Sequence, residues 1–169
     1  MKVFGVVGWK NTGKTTLVEK ITDGLVKRSY TVSTIKHAHH NFEIDQDGKD
    51  SFRHRKAGAS QVVVSSRKSW ALISKQNYDE EQILERTLNK LDPVNFVIVE
   101  GFKSEKHPKI ECYLDGTPKQ PLIKSDKTIL AIVHNLMNFD SENTQFLPDE
   151  VEKIVDFVIR KSIPIAKLW

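Results

Sequence analysis

The most constraining feature of the chain is a glycine-containing segment between an apolar run and an amphipathic stretch. Residues 8–15 read Gly-Trp-Lys-Asn-Thr-Gly-Lys-Thr, which fits the pattern G-x-x-x-x-G-K-[ST]. Residues 2–7 before it are mostly apolar and predict a buried strand. After it, the spacing of Val18, Ile21 and Leu25 predicts one face of a helix. A strand, such a loop and a helix in this order are typical of a phosphate-binding loop.

The chemistry of this loop indicates a nucleotide with a bound magnesium ion. Glycines let successive backbone N–H groups turn towards one anion, and the amino end of the following helix adds partial positive charge. Lys14 can reach the β- and γ-phosphates and is expected to be catalytic, while the Thr15 hydroxyl is suitably placed to bind Mg²⁺. The predicted nucleotide-binding residues are Gly8, Trp9, Lys10, Asn11, Thr12, Gly13, Lys14, Thr15 and Thr16.

A carboxylate follows the most apolar strand of the chain. Val94–Val99 is apolar at nearly every position, which predicts a central strand covered on both faces. Glu100 and Gly101 come directly after it, where a phosphate loop needs an acid on a neighbouring strand. We therefore expect Glu100 to be catalytic and to hold Mg²⁺ together with Thr15. An ordinary acid at the end of a strand is the alternative.

A polar segment follows the second predicted strand, Thr31–Ile35, and contains groups that bind anions or metals. Residues 37–40 read His-Ala-His-His, and Asp45 and Asp47 come next. We expect this segment to leave the sheet beside the phosphate loop, with Asp47 near Mg²⁺. A zinc site and a solvated loop are the alternatives. The residues expected to contact a phosphate-bearing ligand or to act as a switch are His37, His39, Asp45, Lys49, Asp50 and Lys103.

Strand and helix patterns alternate along most of the chain. This alternation predicts an α/β fold of the P-loop NTPase type, with a mostly parallel sheet flanked by helices. Gln61–Ser66 and Trp70–Ser74 are two strand-like runs separated by three residues, which predicts an antiparallel hairpin as an extension.

Residues 102–127 hold three of the six prolines around a candidate strand at Ile110–Leu114. We interpret this segment as an excursion from the sheet. The chain is long enough to bury one core without a disulfide or a metal. The prediction is a single nucleotide-binding domain over residues 1–169, with insertions near 60–75 and 104–127.

Charge, cysteine content and hydropathy exclude several classes of protein. The net charge is +4, but acidic residues interrupt the basic ones, so no nucleic-acid partner is expected. Cys112 is the only cysteine, which excludes an internal disulfide and fits a reducing cytoplasm. No apolar run approaches the roughly 18 residues of a membrane helix, so no membrane association is expected. The apolar run at residues 2–7 is too short for the core of a signal peptide.

Four motifs of the chain occur together in one known family. They are the loop at residues 8–16, Lys-His-Ala-His-His at 36–40, Asp-Gly-Lys-Asp-Ser at 47–51 and Val-Glu-Gly-Phe-Lys at 99–103. In these motifs, and in Ala-Gly-Ala at 57–59 and Trp-Ala-Leu at 70–72, the chain resembles the MobB family, from the first strand to about Val133.

The resemblance implies a GTP-binding adapter protein in molybdenum cofactor biosynthesis. Such a protein assists the nucleotidyltransferase that attaches GMP to molybdopterin, hydrolyses GTP weakly with Mg²⁺ and is usually a homodimer. That enzyme, molybdopterin and other cofactor-maturation proteins are the implied partners. The resemblance also implies that the hairpin near 60–75 and the excursion near 104–127 extend the sheet and build the dimer.

Recognition of the guanine base is implied by the resemblance alone. After the strand at residues 129–133 we expect an aspartate, whereas the chain has His134 and Asn135. Residues 89–92 read Asn-Lys-Leu-Asp and fit the N-K-x-D signature of many GTPases, but they close a helix, so we interpret the match as chance. The alternative function is a P-loop small-molecule kinase that uses ATP, with Glu100 as base. A nucleic-acid-associated ATPase is disfavoured because the chain has no basic run.

Overall fold

The computed structural model describes residues 1–38, 45–75, 80–137, 139 and 142–169. These residues fall into two compact units. The first contains Met1–His37 and Leu84–Trp169, and the second contains Ala38–Ile83. The single domain over residues 1–169 stays a prediction.

The described residues form nine strands and four α-helices. None of these helices is long and apolar enough to cross a membrane. In chain order the elements are β1 (Lys2–Gly8), α1 (Lys14–Lys27), β2 (Val32–Lys36), α2 (Asp50–Lys56), β3 (Gln61–Ser65), β4 (Trp70–Ser74), α3 (Glu80–Leu88), β5 (Phe96–Glu100), β6 (Lys109–Tyr113), β7 (Ile129–His134), β8 (Thr144–Phe146), α4 (Val151–Lys161) and β9 (Ile163–Pro164).

The first unit is built on a seven-stranded sheet. Its order is β2-β5-β1-β6-β7-β8 with all of these strands parallel, and β9 pairs antiparallel with β1. Parallel strands place their carboxyl ends at one edge, so the residues that follow β1, β2 and β5 meet there. The predicted fold class, a mostly parallel sheet flanked by helices with a small antiparallel pair, is confirmed.

Helices α1 and α4 pack together against the sheet. Ile21 and Leu25 of α1 and Val155 of α4 are fully buried in one cluster with Phe4 of β1. Gly24 lets the two helices approach closely, because a Cβ at this position would lie 2.6 Å from a Val155 methyl group. Burial of each large apolar side chain contributes about 1.5–3 kcal/mol to folding. This core fixes α1, and with it the loop that precedes α1.

The interpretation of residues 102–127 as an excursion from the sheet was wrong for the part of this segment that forms β6. β6 lies inside the main sheet, parallel to β1 and β7. Its Lys109 and Glu111 are fully buried, and their charges made the segment resemble a peripheral one. Lys109 donates to the Thr128 hydroxyl, and Glu111 accepts N–H groups from Leu122 and Ile123 at 2.8 Å each. These partners make burial of the charged groups tolerable.

The second unit contains α2 and the predicted hairpin. β3 and β4 pair antiparallel from Gln61 with Ser74 to Ser65 with Trp70. Within the described residues they form a two-stranded sheet of their own. The hairpin itself is therefore confirmed, but it does not extend the main sheet of the same chain as expected.

Candidate functional site

The loop between β1 and α1 requires glycine at its first position. Gly8 has a φ of +147°, and a Cβ there would lie 2.4 Å from the carbonyl oxygen of Cys112. Helix α1 begins at Lys14, and the Leu17 N–H donates to the Gly13 carbonyl at 3.0 Å. The free N–H groups at the amino end of α1 therefore follow the loop directly, where they can bind an anion.

The carbonyl group of Trp9 holds two side chains of the loop. Lys14 Nζ donates to it at 2.6 Å, and Thr12 Oγ1 donates to it at 2.9 Å. The Lys14 ammonium is thus held against the loop backbone. Four further predicted nucleotide-binding residues are exposed, namely Lys10, Asn11, Thr15 and Thr16, whereas Trp9 is half-buried.

Glu100 lies beside this loop at the carboxyl edge of the sheet. Thr15 Oγ1 donates to Glu100 Oε1 at 3.1 Å, and Lys36 Nζ lies 3.4 Å from the same oxygen. Parallel pairing sets this arrangement, since Glu100 is opposite Lys36 on β2 and Val6 on β1. The structure therefore brings together Thr15 and Glu100, the hydroxyl and carboxylate oxygens predicted to hold Mg²⁺. Such hard oxygen donors fit that ion.

A groove gives access to Glu100 from solvent. It has a volume of about 510 Å³ and lies between α1 and β2, which is an edge strand of the main sheet. Thr15, Lys36 and Glu100 line one part of it, and Thr22 and Val26 of α1 line another. Solvent can therefore reach a ligand at the end of the loop through the groove along α1.

His37 lies next to Glu100 and packs on the residues that follow it. The His37 N–H donates to the Glu100 carbonyl at 2.9 Å, and its ring stacks on Phe102 with ring centroids 4.3 Å apart. Gly101 has a φ of +93°, and a Cβ there would lie 2.9 Å from His37 Cβ. Glycine at position 101 therefore lets β2 and the segment after β5 meet at the edge that holds the loop.

The indole ring of Trp9 lies between two other segments of the first unit, those that follow β5 and β6. Lys103 Nζ and Lys119 Nζ each lie 4.3 Å from the ring centroid, and the indole N–H donates to the Gln120 carbonyl at 3.0 Å. The predicted contact residue Lys103 is thus placed at the loop. Lys119 was not predicted, since nothing in its local sequence distinguishes it from other surface lysines.

The remaining predicted contact residues belong to the second unit. Asp45 accepts from Ser51 Oγ at 2.7 Å and from Arg55 Nε at 3.2 Å, so its carboxylate has partners on α2. Asp50 is highly exposed, with its carboxylate 3.8 Å from Arg53. Asp47 and Lys49 are exposed and lie before α2, and His39 lies outside the described residues.

The zinc alternative receives no support from the residues that the structure describes. Among them, no group of three His, Cys, Asp or Glu side chains could hold a metal ion. His39 and His40 lie outside these residues.

Burial changes the acid–base properties of groups behind the loop. It raises the pKa of the Cys112 thiol to about 12. It also raises the pKa of Glu111, although the N–H groups of Leu122 and Ile123 oppose that change. The pKa of Lys103 is lowered by burial and by repulsion from neighbouring ammonium groups.

A comparison with protein families identifies the family of the chain. The family model described as "MobB: Molybdopterin guanine dinucleotide synthesis protein B" matches residues 3–135, which include the loop, Glu100 and Lys103. The chain belongs to the MobB family. The resemblance seen in the four sequence motifs is thereby confirmed.

Relatives in the MobB family agree with this assignment over most of their length. The molybdopterin-guanine dinucleotide biosynthesis adapter protein of Escherichia coli (strain K12) is 36% identical over 161 residues, covering 93% of this chain and 91% of that protein. The protein of the same name from Haemophilus influenzae is 36% identical over 162 residues, covering 92% and 86%. The crystal structure of Bacillus subtilis MobB has a TM-score of 0.73 at 24% identity, covering 96% and 99%, and so shares the fold.

Two segments of the MobB region bear on base recognition. Residues 89–92 follow α3 and lead into the amino end of β5, the edge opposite the loop, which agrees with a chance match to N-K-x-D. At the carboxyl end of β7, Asn135 Oδ1 accepts the Asp115 N–H at 2.8 Å and His134 Nε2 lies 2.9 Å from Gln145 Oε1. These two side chains therefore join the ends of neighbouring strands.

Proposed function

We propose that the chain is a GTP-binding adapter in the synthesis of molybdopterin guanine dinucleotide, assisting the nucleotidyltransferase that attaches GMP to molybdopterin. The observation that carries the proposal is the hydrogen bond of 3.1 Å between Thr15 and Glu100, beside a loop that only glycine fits at position 8. The names of the 36% identical relatives support the pathway. Molybdopterin and other cofactor-maturation proteins belong to the same proposal, as does a place in the cytoplasm.

Each loop residue has a separate task in this proposal. The loop amides and the amino end of α1 bind the phosphates of GTP, and the Lys14 ammonium exchanges the Trp9 carbonyl for a phosphate oxygen. Thr15 and Glu100 hold Mg²⁺, which neutralises phosphate charge when bound. Glu100 also orients water for a slow hydrolysis of GTP, since Lys36 and burial keep its carboxylate in one place.

The second unit supplies contacts to the pterin ligand in this proposal. Asp47 is a further candidate for Mg²⁺, and Lys49 and Asp50 are exposed and available to a phosphate-bearing ligand. His39 belongs to the same candidate set, as does His37 at the end of the first unit's β2 segment. Asp45 is less suited to that task, because its carboxylate already accepts from Ser51 and Arg55.

We also propose a homodimer in which the hairpin of the second unit meets a second copy of the chain. Opposed pairs on an antiparallel hairpin share a face, so Val63, Leu72 and Trp70 lie on one face. They are 60%, 38% and 63% exposed. A lone two-stranded hairpin is marginal in water, and exposed apolar patches mark interfaces. A second copy would cover this face.

The adapter proposal is tested by capture of the purified nucleotidyltransferase on the immobilised chain, with GTP and Mg²⁺, with ATP and Mg²⁺, or without nucleotide. We expect capture that GTP strengthens and ATP does not. The Lys14→Ala variant is expected to lose the GTP effect while keeping its fold. Absence of capture under every condition would contradict the adapter role.

A further inference from the structure

Two ammonium groups lie over a single indole ring at the loop. Lys103 Nζ and Lys119 Nζ are each 4.3 Å from the centroid of Trp9, a distance at which the ring attracts a cation. The ring is itself fixed, because its N–H donates to the Gln120 carbonyl at 3.0 Å. The two lysines come from the segments after β5 and β6, so the tertiary fold alone brings them together.

The charge at this point is not balanced by nearby acids. Among the described residues, neither Lys103 nor Lys119 has a carboxylate oxygen within 4.0 Å. Glu111 attracts Lys103, but its two oxygens accept the N–H groups of Leu122 and Ile123. Positive groups gathered in this way repel one another in the absence of an anion.

Partial burial adds to this effect at Lys103. Its pKa is lowered by burial first and then by the charges of Lys14 and Lys119. A bound anion would relieve both costs, since it would replace the lost hydration and separate the like charges. The aromatic ring alone does not supply a full negative charge.

We propose that Lys103 and Lys119, held over Trp9, form a second anion site beside the phosphate loop, and that this site takes a terminal phosphate group. Such a group carries up to two negative charges and three acceptor oxygens, so it can bridge two ammonium groups. The phosphate can come from a second phosphorylated ligand or be the last phosphate of a nucleotide in the loop. The inference stands on the described side chains and does not require the proposed nucleotide.

The indole N–H signal of Trp9 in a ¹⁵N-correlated NMR spectrum reports on this site directly. The chain has three tryptophans, and the Trp9 signal is identified by its loss in Trp9→Phe, which leaves Trp70 and Trp169 as internal controls. Inorganic phosphate is titrated into the Lys14→Ala variant, in which the loop is disabled, against chloride at equal ionic strength. We expect a saturable shift of the Trp9 signal alone.

Matched variants decide where the phosphate binds. In Lys103→Gln/Lys119→Gln, made in the same Lys14→Ala background, we expect affinity to fall by at least about tenfold, as for a loss of one to two charge-assisted contacts. Lys127→Gln removes an exposed charge that precedes the amino end of β7, at the edge of the sheet opposite the loop, and should leave the affinity unchanged. Unchanged thermal unfolding shows that the variants fold. Phosphate binding that vanishes with Lys14→Ala, or that the double variant retains, would overturn the second site.

Nucleotides added to the chain with Lys14 intact distinguish the two sources of the phosphate, a second ligand and the nucleotide in the loop. If the site takes a second ligand, phosphate still titrates after the loop is filled with GDP and Mg²⁺, and equally with GTP. If it takes the last phosphate of the nucleotide, GTP abolishes the phosphate response and GDP does not. Failure of GTP and GDP to bind at all would contradict the proposed function and leave the phosphate result in Lys14→Ala intact.

Discussion

The Glu100 carboxylate is held between a hydroxyl and an ammonium group, and this arrangement limits what the residue can do. Thr15 lies 3.1 Å and Lys36 3.4 Å from Glu100 Oε1. The hydroxyl connects the carboxylate to the first turn of α1, where phosphate is expected. A carboxylate in this position can orient water without leaving its partners.

Glu100→Gln tests that role. The amide keeps the shape of the side chain but cannot accept a proton, so we expect hydrolysis of GTP to slow by about a hundredfold. Binding of GTP should change much less, as measured by calorimetry. Glu19→Gln removes an exposed negative charge from the same groove and should change neither property. Equal losses of binding and hydrolysis in Glu100→Gln would instead indicate that Glu100 only holds Mg²⁺.

His107 makes the stability of the fold depend on pH. It is fully buried, and neither ring nitrogen has a hydrogen-bond partner among the described residues. Burial and, to a smaller degree, the Lys109 ammonium lower its pKa from 6.5 to about 3, while Asp126 opposes that change. The unfolded chain therefore binds a proton below about pH 6.5 that the folded chain does not bind until about pH 3.

We expect the free energy of unfolding to fall on acidification between these two values, by up to about 1.4 kcal/mol per pH unit from His107. His107→Leu removes the group, so its stability should fall less steeply over the same range. Urea unfolding at a series of pH values measures both slopes. Identical slopes would show that His107 is protonated in the folded chain.

Cys112 should be inert while the chain is folded. It is 3% exposed, and burial raises its pKa to about 12, so almost no thiolate forms at neutral pH. We expect no alkylation by iodoacetamide in the native state and complete alkylation in denaturant, as measured by mass spectrometry. Rapid labelling of the native chain would contradict the buried position of β6.

At the scale of residues, the sequence could predict the positions that a local pattern encodes. Gly8, Lys14 and Thr15 have fixed spacing in a motif, and Glu100 follows an unmistakably buried strand. Lys119 reaches Trp9 only because the segment after β6 returns to the loop. No local pattern records such a contact, so it could not be predicted.

At the scale of elements, the segment at 109–113 shows where charge patterns mislead. Prolines and charged residues are usually peripheral, yet β6 lies between β1 and β7 with Lys109 and Glu111 fully buried. Their partners come from the segments at 122–128, and a pattern of single residues cannot show that a buried charge has been paired. The hairpin, in contrast, was predictable because alternation and spacing are local properties.

The exposed face of the β3–β4 hairpin is the surface through which we expect two copies of the chain to associate. Val63→Lys places a charge among Trp70 and Leu72 on the proposed dimer face. We expect the wild-type chain to be dimeric and this variant to be monomeric, as measured by light scattering after size-exclusion chromatography. Ser69→Lys adds the same charge in the turn and should remain dimeric. A wild-type chain that is monomeric at micromolar concentrations, or a dimeric Val63→Lys, would contradict a dimer through this face.

At the scale of the whole molecule, the parallel sheet brings the functional residues of the first unit to one edge. At that edge β1 leads into the loop, β2 ends at Lys36 and β5 ends at Glu100. β6 contributes the backbone against which Gly8 packs. The order of elements in the sequence predicted this edge, because parallel strands connected by helices share their direction. The short strands β8 and β9 were not predicted, since two or three residues carry too little pattern.

Calorimetric titration with GTP and with ATP in the presence of Mg²⁺ measures whether the loop of this MobB-family chain binds GTP. We expect saturable binding that prefers GTP and that Lys14→Ala abolishes. The loss of the Lys14 bond to Trp9 should cost the fold only about 1 kcal/mol, so the variant's thermal unfolding should change little. Undiminished binding by Lys14→Ala, or a preference for ATP with rapid phosphoryl transfer to a metabolite, would contradict a GTP-binding role of the loop.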